Sequence, residues 1–288
     1  MPTLTDIRTV REILSRHGFS FSKALGQNFL INPSVCPRMA QNCHPNLSGE
    51  FAVLEIGPGL GVLTKELAQV ATRVISIELD TRLLPILQET LAEFKNVTVI
   101  SGDALKLDLA KILDTHAKGV PVVVCANLPY YITSPILMHL LESRLPFESI
   151  TVLVQKEAAQ RLCAVPGTRE CGAISLAVSY FATPEILFSV SRGSFMPAPN
   201  VDSSVIRLQL RKTPPCKIVD EALFFRLVHA AFQQRRKTLA NSLCNAGFSK
   251  EVVRKALEKA NLSPTARAEE LSLEQFAALT EAFYCAEH

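Results

Sequence analysis

From residue 51 to about residue 210 the chain alternates short apolar runs with segments of helical periodicity, and nothing else in it constrains the fold as strongly. The runs FAVLEI (51–56), RVISIEL (73–79), VTVIS (97–101), VPVVVCA (120–126) and SITVLVQ (149–155) are rich in β-branched residues and nearly continuous in apolar character. That is the pattern of strands covered on both faces. Between them, LGVLTKELAQVA, TRLLPILQETLAEF and SPILMHLLESRL carry helical spacing. Strand–helix alternation of this kind predicts an α/β fold built on a parallel, doubly wound sheet. Two later runs, EILFSV (185–190) and SVIRLQL (204–210), have the character of an antiparallel edge hairpin.

The segment RKTPPCK (211–217) breaks the pattern, because two consecutive prolines and three cations cannot continue a central strand. Beyond it DEALFFRLVHAAFQQ, RRKTLANSLCNAG, SKEVVRKALEKANL and SLEQFAALTEAF all read as helices, with Ser249 and Ser272 as N-caps and Gly247 as a helix stop. The expected division is therefore an α/β domain over residues 1–210 and a small all-helical domain over 211–288. Charge follows the same division. Arg207 to Lys259 holds twelve Lys/Arg against four Asp/Glu, whereas no Lys or Arg follows Arg267, although five glutamates do. This polarity suggests a basic face for a polyanion, and ordinary solvated helix faces account for it equally well.

No apolar run is long enough to cross a bilayer, and MPTLTDIRTVREILSRHGF lacks the apolar stretch and small-residue site of a signal peptide. A cytoplasmic location is expected. Cys36, Cys43 and His44 are the nearest approach to a metal cluster, but no C-x-x-C occurs among the eight cysteines and no second half completes the set. Free thiols and no metal are expected.

Four features in register carry chemistry. Glu55-Ile-Gly57-Pro-Gly59-Leu-Gly61 follows a strand and opens a helix, so a sharp turn can pass close to a ligand. Its G-x-G-x-G spacing differs from the dinucleotide-binding pattern and lacks the Lys-Ser/Thr of a phosphate loop. Glu78 ends the next strand, 21 residues after Gly57, where a carboxylate can accept both hydroxyl protons of a ribose. Asp103 ends the third, where it can accept from an adenine amino group. Taken singly, each has a bland explanation as a tight junction or a solvated strand-end acid.

Asn127-Leu128-Pro129-Tyr130 follows the fourth strand. An exocyclic adenine amine is a poor nucleophile because its lone pair is delocalised into the ring. The Asn127 side-chain oxygen and the Leu128 carbonyl can accept its two N–H groups and favour a pyramidal nitrogen. Tyr130 can stack on a base flipped out or presented from a loop. In isolation an Asn-Pro turn with a packed tyrosine accounts for the same letters.

At these residues the chain resembles the class I S-adenosylmethionine-dependent methyltransferases, and within them the ribosomal RNA adenine dimethyltransferase family. KALGQNFL (23–30), EIGPGLGVLT (55–64), IELD (77–80), GDAL (102–105), NLPYYI (127–132) and FMPAPNVDSSV (195–205) resemble its motifs in order, across most of the chain. The resemblance implies a Rossmann-like sheet and a donor site made by Asn28, Leu30, Gly57, Glu78, Asp103 and Asn127. It also implies that Phe195 stacks on the target adenine opposite Tyr130. FQQRRKTLANSL (232–243) resembles the bacterial small-subunit branch. Membership there implies dimethylation of N6 of two adjacent adenosines in a hairpin loop near the 3′ end of 16S ribosomal RNA, a role in small-subunit biogenesis, and a monomer. Arg235, Arg236 and Lys237, opening a helix-like run, are the expected RNA contacts. Read from the residues alone, Gln27 and Asn28 are turn formers ahead of a helix begun by Asn32-Pro33, and Phe195 is a packing residue in a loop stiffened by Pro197 and Pro199. The rival expectations are a 23S ribosomal RNA adenine methyltransferase, which shares the catalytic motifs, and a non-catalytic assembly or nucleic-acid-binding factor on the same fold.

Overall fold

The computed structural model describes residues 3–21, 26–44, 49–234 and 236–287. Helix α1 (Ile7–Arg16) is capped by Asp6, whose carboxylate accepts from the Thr9 N–H, and it buries Val10, Ile13 and Leu14. Strand β1 (Phe29–Leu30) follows, then α2 (Val35–Asn42), set up by the Asn32 side chain, which accepts from the backbone N–H and hydroxyl of Ser34. Next come β2 (Ala52–Ile56), α3 (Val62–Val70), β3 (Arg73–Glu78), α4 (Leu84–Thr90), β4 (Val97–Ser101), α5 (Leu109–His116), β5 (Val122–Asn127), α6 (Thr133–Glu142) and β6 (Phe147–Gln155). Each of the five predicted strands is present to within two residues at either end. Helices α7 (Lys156–Leu162) and α8 (Ala173–Phe181) lead to β7 (Ala182–Val190), β8 (Phe195–Met196) and β9 (Ser203–Leu210). Helices α5, α7 and α8 lie outside the helical patterns noted in the sequence.

Seven strands form one mixed sheet in the order β4-β3-β2-β5-β6-β9-β7. The first five neighbours pair in parallel, and β9 runs antiparallel to β6 from Ser149↔Gln209 to Gln155↔Ser203. The two late apolar runs are thus neighbours at one edge. From β2 the chain proceeds outward through β3 and β4, then returns to lay β5 and β6 on the other side. In open α/β sheets such a reversal opens a ligand crevice beyond the carboxyl ends of the strands.

The sheet belongs to a unit of residues 1–159 and 185–210. Its core joins α2, α3 and the central strands through Met39, Val53, Leu67, Val123, Leu153 and Val205. A second cluster seats α1 on α4 through Ile13, Leu14, Ile86 and Leu87. At its margin Glu89 takes an ion pair from Arg16 at 2.6 Å and a contact from His17 at 2.8 Å.

The remaining unit comprises residues 160–184 and 211–288 and is helical. It contains α8 with α9 (Glu221–Phe232), α10 (Leu239–Asn245), α11 (Lys250–Lys259) and α12 (Leu273–Glu287). A cut placed after residue 210 alone differs from this grouping, because α8 packs on α9 and α12. Its Tyr180 and Phe181 rings stand 5.7 and 5.5 Å from those of Phe224 and Phe225. Helix α10 ends as Gly247 implies: Gly247, at φ +98°, donates to the Cys244 carbonyl, and Phe248 donates to that of Leu243. Ser272 and Gln275 cap the start of α12 reciprocally. Ser249 precedes α11 without a side-chain capping bond.

No helix among the described residues is long and apolar enough to cross a membrane. All eight cysteines are free thiols, four of them buried, and among the described residues no group of three His, Cys, Asp or Glu side chains is gathered to hold a metal ion.

Candidate active site

Beyond the carboxyl ends of β2, β3 and β5 lies a cavity of about 1080 Å³, its open mouth included. Gly57 leaves β2 at φ +73° with its N–H donating to the Ile77 carbonyl. A Cβ added there would meet nothing within 4 Å, so the missing side chain is open space on the cavity side. Gly59, at φ +61°, is crowded instead: its Cβ would lie 3.2 Å from the Phe29 ring. The left-handed conformation costs an L-residue about 1–2 kcal/mol, so the glycines let the turn fold tightly beneath a ligand.

Glu78 ends β3 and is 5% exposed. Its two oxygens each accept one backbone N–H, from Gly59 at 3.2 Å and Asp80 at 2.8 Å. A carboxylate has about four acceptor positions, so these two bonds leave acceptor capacity for a vicinal diol. Burial raises its proton affinity above the usual carboxylate range, against the pull of those N–H donors. Asp103 follows β4; one oxygen accepts from the Leu105 N–H at 3.0 Å and the other stands 3.7 Å from Lys106 Nζ. Asn127 ends β5, and its Nδ2 donates to the Asn28 carbonyl at a long 3.5 Å. Its Oδ1 accepts from no described residue. Asn28 and Leu30 arrive from the N-terminal segment, where Leu30 pairs with Phe195 across β1 and β8.

All nine residues singled out for the donor and target sites, namely Asn28, Leu30, Gly57, Glu78, Asp103, Asn127, Leu128, Tyr130 and Phe195, line this one cavity. Their settings differ from those expected in two respects. Phe195 is only 3% exposed and packs in the sheet core with Leu30 and Val205. Tyr130 is partly buried, its hydroxyl 2.7 Å from that of Ser203, and burial pushes its phenol up from its ordinary value. Each ring reaches the cavity, and Phe195 also fills the core.

The expected RNA contacts lie in the helical unit. Arg235 lies outside the described residues, as do Lys23, Ala24 and Leu25 of the N-terminal motif. Arg236 and Lys237 are exposed, but they do not open a helix. Lys237 closes a turn onto the Gln234 carbonyl, and α10 begins only after Thr238, whose hydroxyl accepts from the Asn241 N–H. The threonine cap moves the helix start past the cations.

Three features of the cavity were not singled out in the sequence. Glu55 is 1% exposed in the middle of the sheet, and its Oε2 accepts from Thr64 Oγ1 at 2.7 Å and Ser76 Oγ at 2.6 Å. Burial outweighs these donors and pushes its carboxyl up to about 7. A charge inside an apolar run was the available signal. Second, the Asp80 carboxylate receives Gln27 Nε2 at 2.8 Å together with Arg82 Nε at 2.8 Å and Nη2 at 2.6 Å. It anchors the N-terminal segment beside Glu78, and no local pattern in the sequence joins residues 27 and 80. The third is Tyr131, at the cavity's rim.

The chain matches the family model described as ribosomal RNA adenine dimethylase over residues 18–284. It is 46% identical over 277 residues to the ribosomal RNA small subunit methyltransferase A of Geobacillus sp. (strain WCH70), covering 94% of each chain. Identity to the protein of that name in Lysinibacillus sphaericus is 45% over 285 residues, 97% of this chain and 96% of that one. Among solved structures, a dimethyladenosine transferase from Plasmodium falciparum superposes with a TM-score of 0.74 at 25% identity, over 90% of this chain and 98% of that one. The 23S rRNA methyltransferase ErmE superposes with a TM-score of 0.66 at 29% identity, over 89% and 100%.

Proposed function

The chain belongs to the ribosomal RNA adenine dimethylase family, and from that premise we propose that it dimethylates N6 of two adjacent adenosines in a hairpin loop near the 3′ end of 16S ribosomal RNA. The methyl donor is S-adenosylmethionine, four molecules for each RNA. The reading takes the protein as a cytoplasmic monomer acting on the small ribosomal subunit during its biogenesis. The small-subunit assignment rests on the two relatives at 45–46% identity over nearly the whole chain, both named as small-subunit enzymes.

The observation that carries the chemistry is the convergence of Gly57, Glu78, Asp103 and Asn127 on one cavity at the point where the strand order reverses. The cavity suits the donor on its own terms. It has open space at Gly57 and acceptor capacity on Glu78 for a ribose diol. Asp103 supplies an acceptor for an adenine amino group. When bound, the donor supplies a methyl group on a positively charged sulfur.

The chain's own residues prepare the nucleophile. Asn127 Oδ1 accepts one N6–H of the target adenine while the Leu128 carbonyl accepts the other. Two acceptors so placed draw the nitrogen towards a tetrahedral shape and aim its lone pair at the methyl carbon. The carbon–nitrogen bond forms as the carbon–sulfur bond breaks, and the nitrogen then releases a proton. No strong base is required, because the amine becomes acidic only as it is alkylated. Interactions gained chiefly in the transition state appear in turnover.

The test is to map dimethyladenosine in 16S RNA from cells lacking this gene, and to restore it in vitro with purified protein, donor and unmodified small subunits. Two dimethylated adenosines should disappear and return. If the marks persist in the deletion strain, or appear in 23S RNA instead, the reading fails.

A further inference from the structure

Four aromatic rings line the cavity, and three of them already have other contacts. Phe29 packs on the rings of Phe19 and Phe21, Phe195 is built into the sheet core, and the Tyr130 hydroxyl is tied to Ser203. Tyr131, the next residue in the short 3-10 turn Tyr130–Ile132, differs from these: it is 55% exposed. Among the described residues none hydrogen-bonds its hydroxyl and no aromatic ring packs on it. Yet its position is built. The backbone at Gly26, at φ +56°, comes so close that a Cβ there would lie 3.3 Å from Tyr131 Cδ1. One edge of the ring is thus fixed against the N-terminal segment, while much of its surface remains in water at the cavity rim.

A half-exposed tyrosine ring at the mouth of a nucleobase site is a stacking platform. Base–aromatic stacking needs a π face and no charge, and it tolerates any base. An adenosine drawn out of its stack leaves the neighbouring base without a stacking partner on one face, and an aromatic side chain can cover that face. Resting on the proposed function, we propose that Tyr131 is a positioning residue that stacks on the nucleobase adjoining the target adenosine. It holds the strand at the rim while the target enters towards Asn127. Tyr130 and Tyr131 thereby serve successive nucleotides, the first within the cavity and the second at its rim.

The test uses the full chain, small subunits lacking the modification, and the variants Tyr131→Phe and Tyr131→Leu. The leucine keeps apolar contact at Gly26 but has no aromatic face. It should raise KM for the subunit about tenfold or more, change kcat far less, and leave the donor dissociation constant, read by calorimetry, at its wild-type value. Phenylalanine should restore KM. A wild-type KM in the leucine variant would overturn the proposal. So would a matching loss of donor affinity, since the ring would then serve only the N-terminal segment. If the wild-type protein itself transfers no methyl group to the small subunit, the functional reading is what fails, and this proposal falls with it.

Discussion

Raising the pH should weaken the folded state through one buried carboxyl. Glu55 lies near the carboxyl end of β2, and burial lifts its proton affinity from the usual 4.5 to about 7 despite hydroxyl donors from Ser76 and Thr64. A folded value above the unfolded one means that the folded chain holds the proton more tightly. The stabilisation is therefore complete below pH 4.5 and is lost as the pH climbs to and through 7. At about 1.4 kcal/mol for each tenfold change in proton affinity, the whole effect is ~3 kcal/mol, most of it falling between pH 5 and pH 8. Replacing Glu55 with Gln keeps the shape and an acceptor for the two hydroxyls but cannot ionise. Its amide N–H₂ adds a cost that does not vary with pH, so the readout is the slope. Urea unfolding without donor, at intervals from pH 5 to pH 8, should show the wild type losing ~2–3 kcal/mol relative to Glu55→Gln. Parallel stability curves for the two proteins would refute the reasoning, because the carboxyl would then titrate alike in the folded and unfolded chains.

Glu78→Ala should weaken S-adenosylmethionine binding about ten- to a hundredfold, the worth of ~1.5–3 kcal/mol of charge-assisted hydrogen bonding; an unchanged dissociation constant by calorimetry removes Glu78 from the donor site. Asn127→Ala should lower kcat far more than it alters donor or RNA affinity, and normal turnover at saturating substrates would end its role in holding the amine. Asp80→Asn, which weakens the anchor of Gln27 and Arg82, should reduce donor affinity about two- to tenfold, roughly one hydrogen bond; Asp80→Glu should recover part of it, and wild-type binding by Asp80→Asn would make the anchor irrelevant to the donor. Replacing Arg235, Arg236 and Lys237 together with Gln should weaken small-subunit binding and flatten its salt dependence while sparing donor affinity. Unchanged subunit affinity at every salt concentration would reduce these cations to a solvated surface.

The sequence by itself determined the sheet, the glycine turn, the strand-end acids and the Asn-Leu-Pro-Tyr segment, because each is written in local terms. A buried strand is a short apolar run, a turn is a glycine that can take positive φ, and a ligand acid stands where the run ends. Successive strands of a parallel sheet end on the same side, so residues tens of positions apart meet there without further instruction. Tertiary structure alone decided what depends on competition for burial. It paired Leu30 with Phe195 and covered that ring in the core, where the motif implied a stacking surface. Gln27 met Asp80, a contact between residues that share no periodicity. Residues 160–184 joined the C-terminal helices, since an apolar helix such as α8 shows that it must be covered but not by what. The contrast between Tyr130 and Tyr131 has the same origin. Adjacent identical letters carry no sign of which ring will be tied down and which left facing solvent, because that is settled by Ser203 and Gly26, residues brought from elsewhere in the chain.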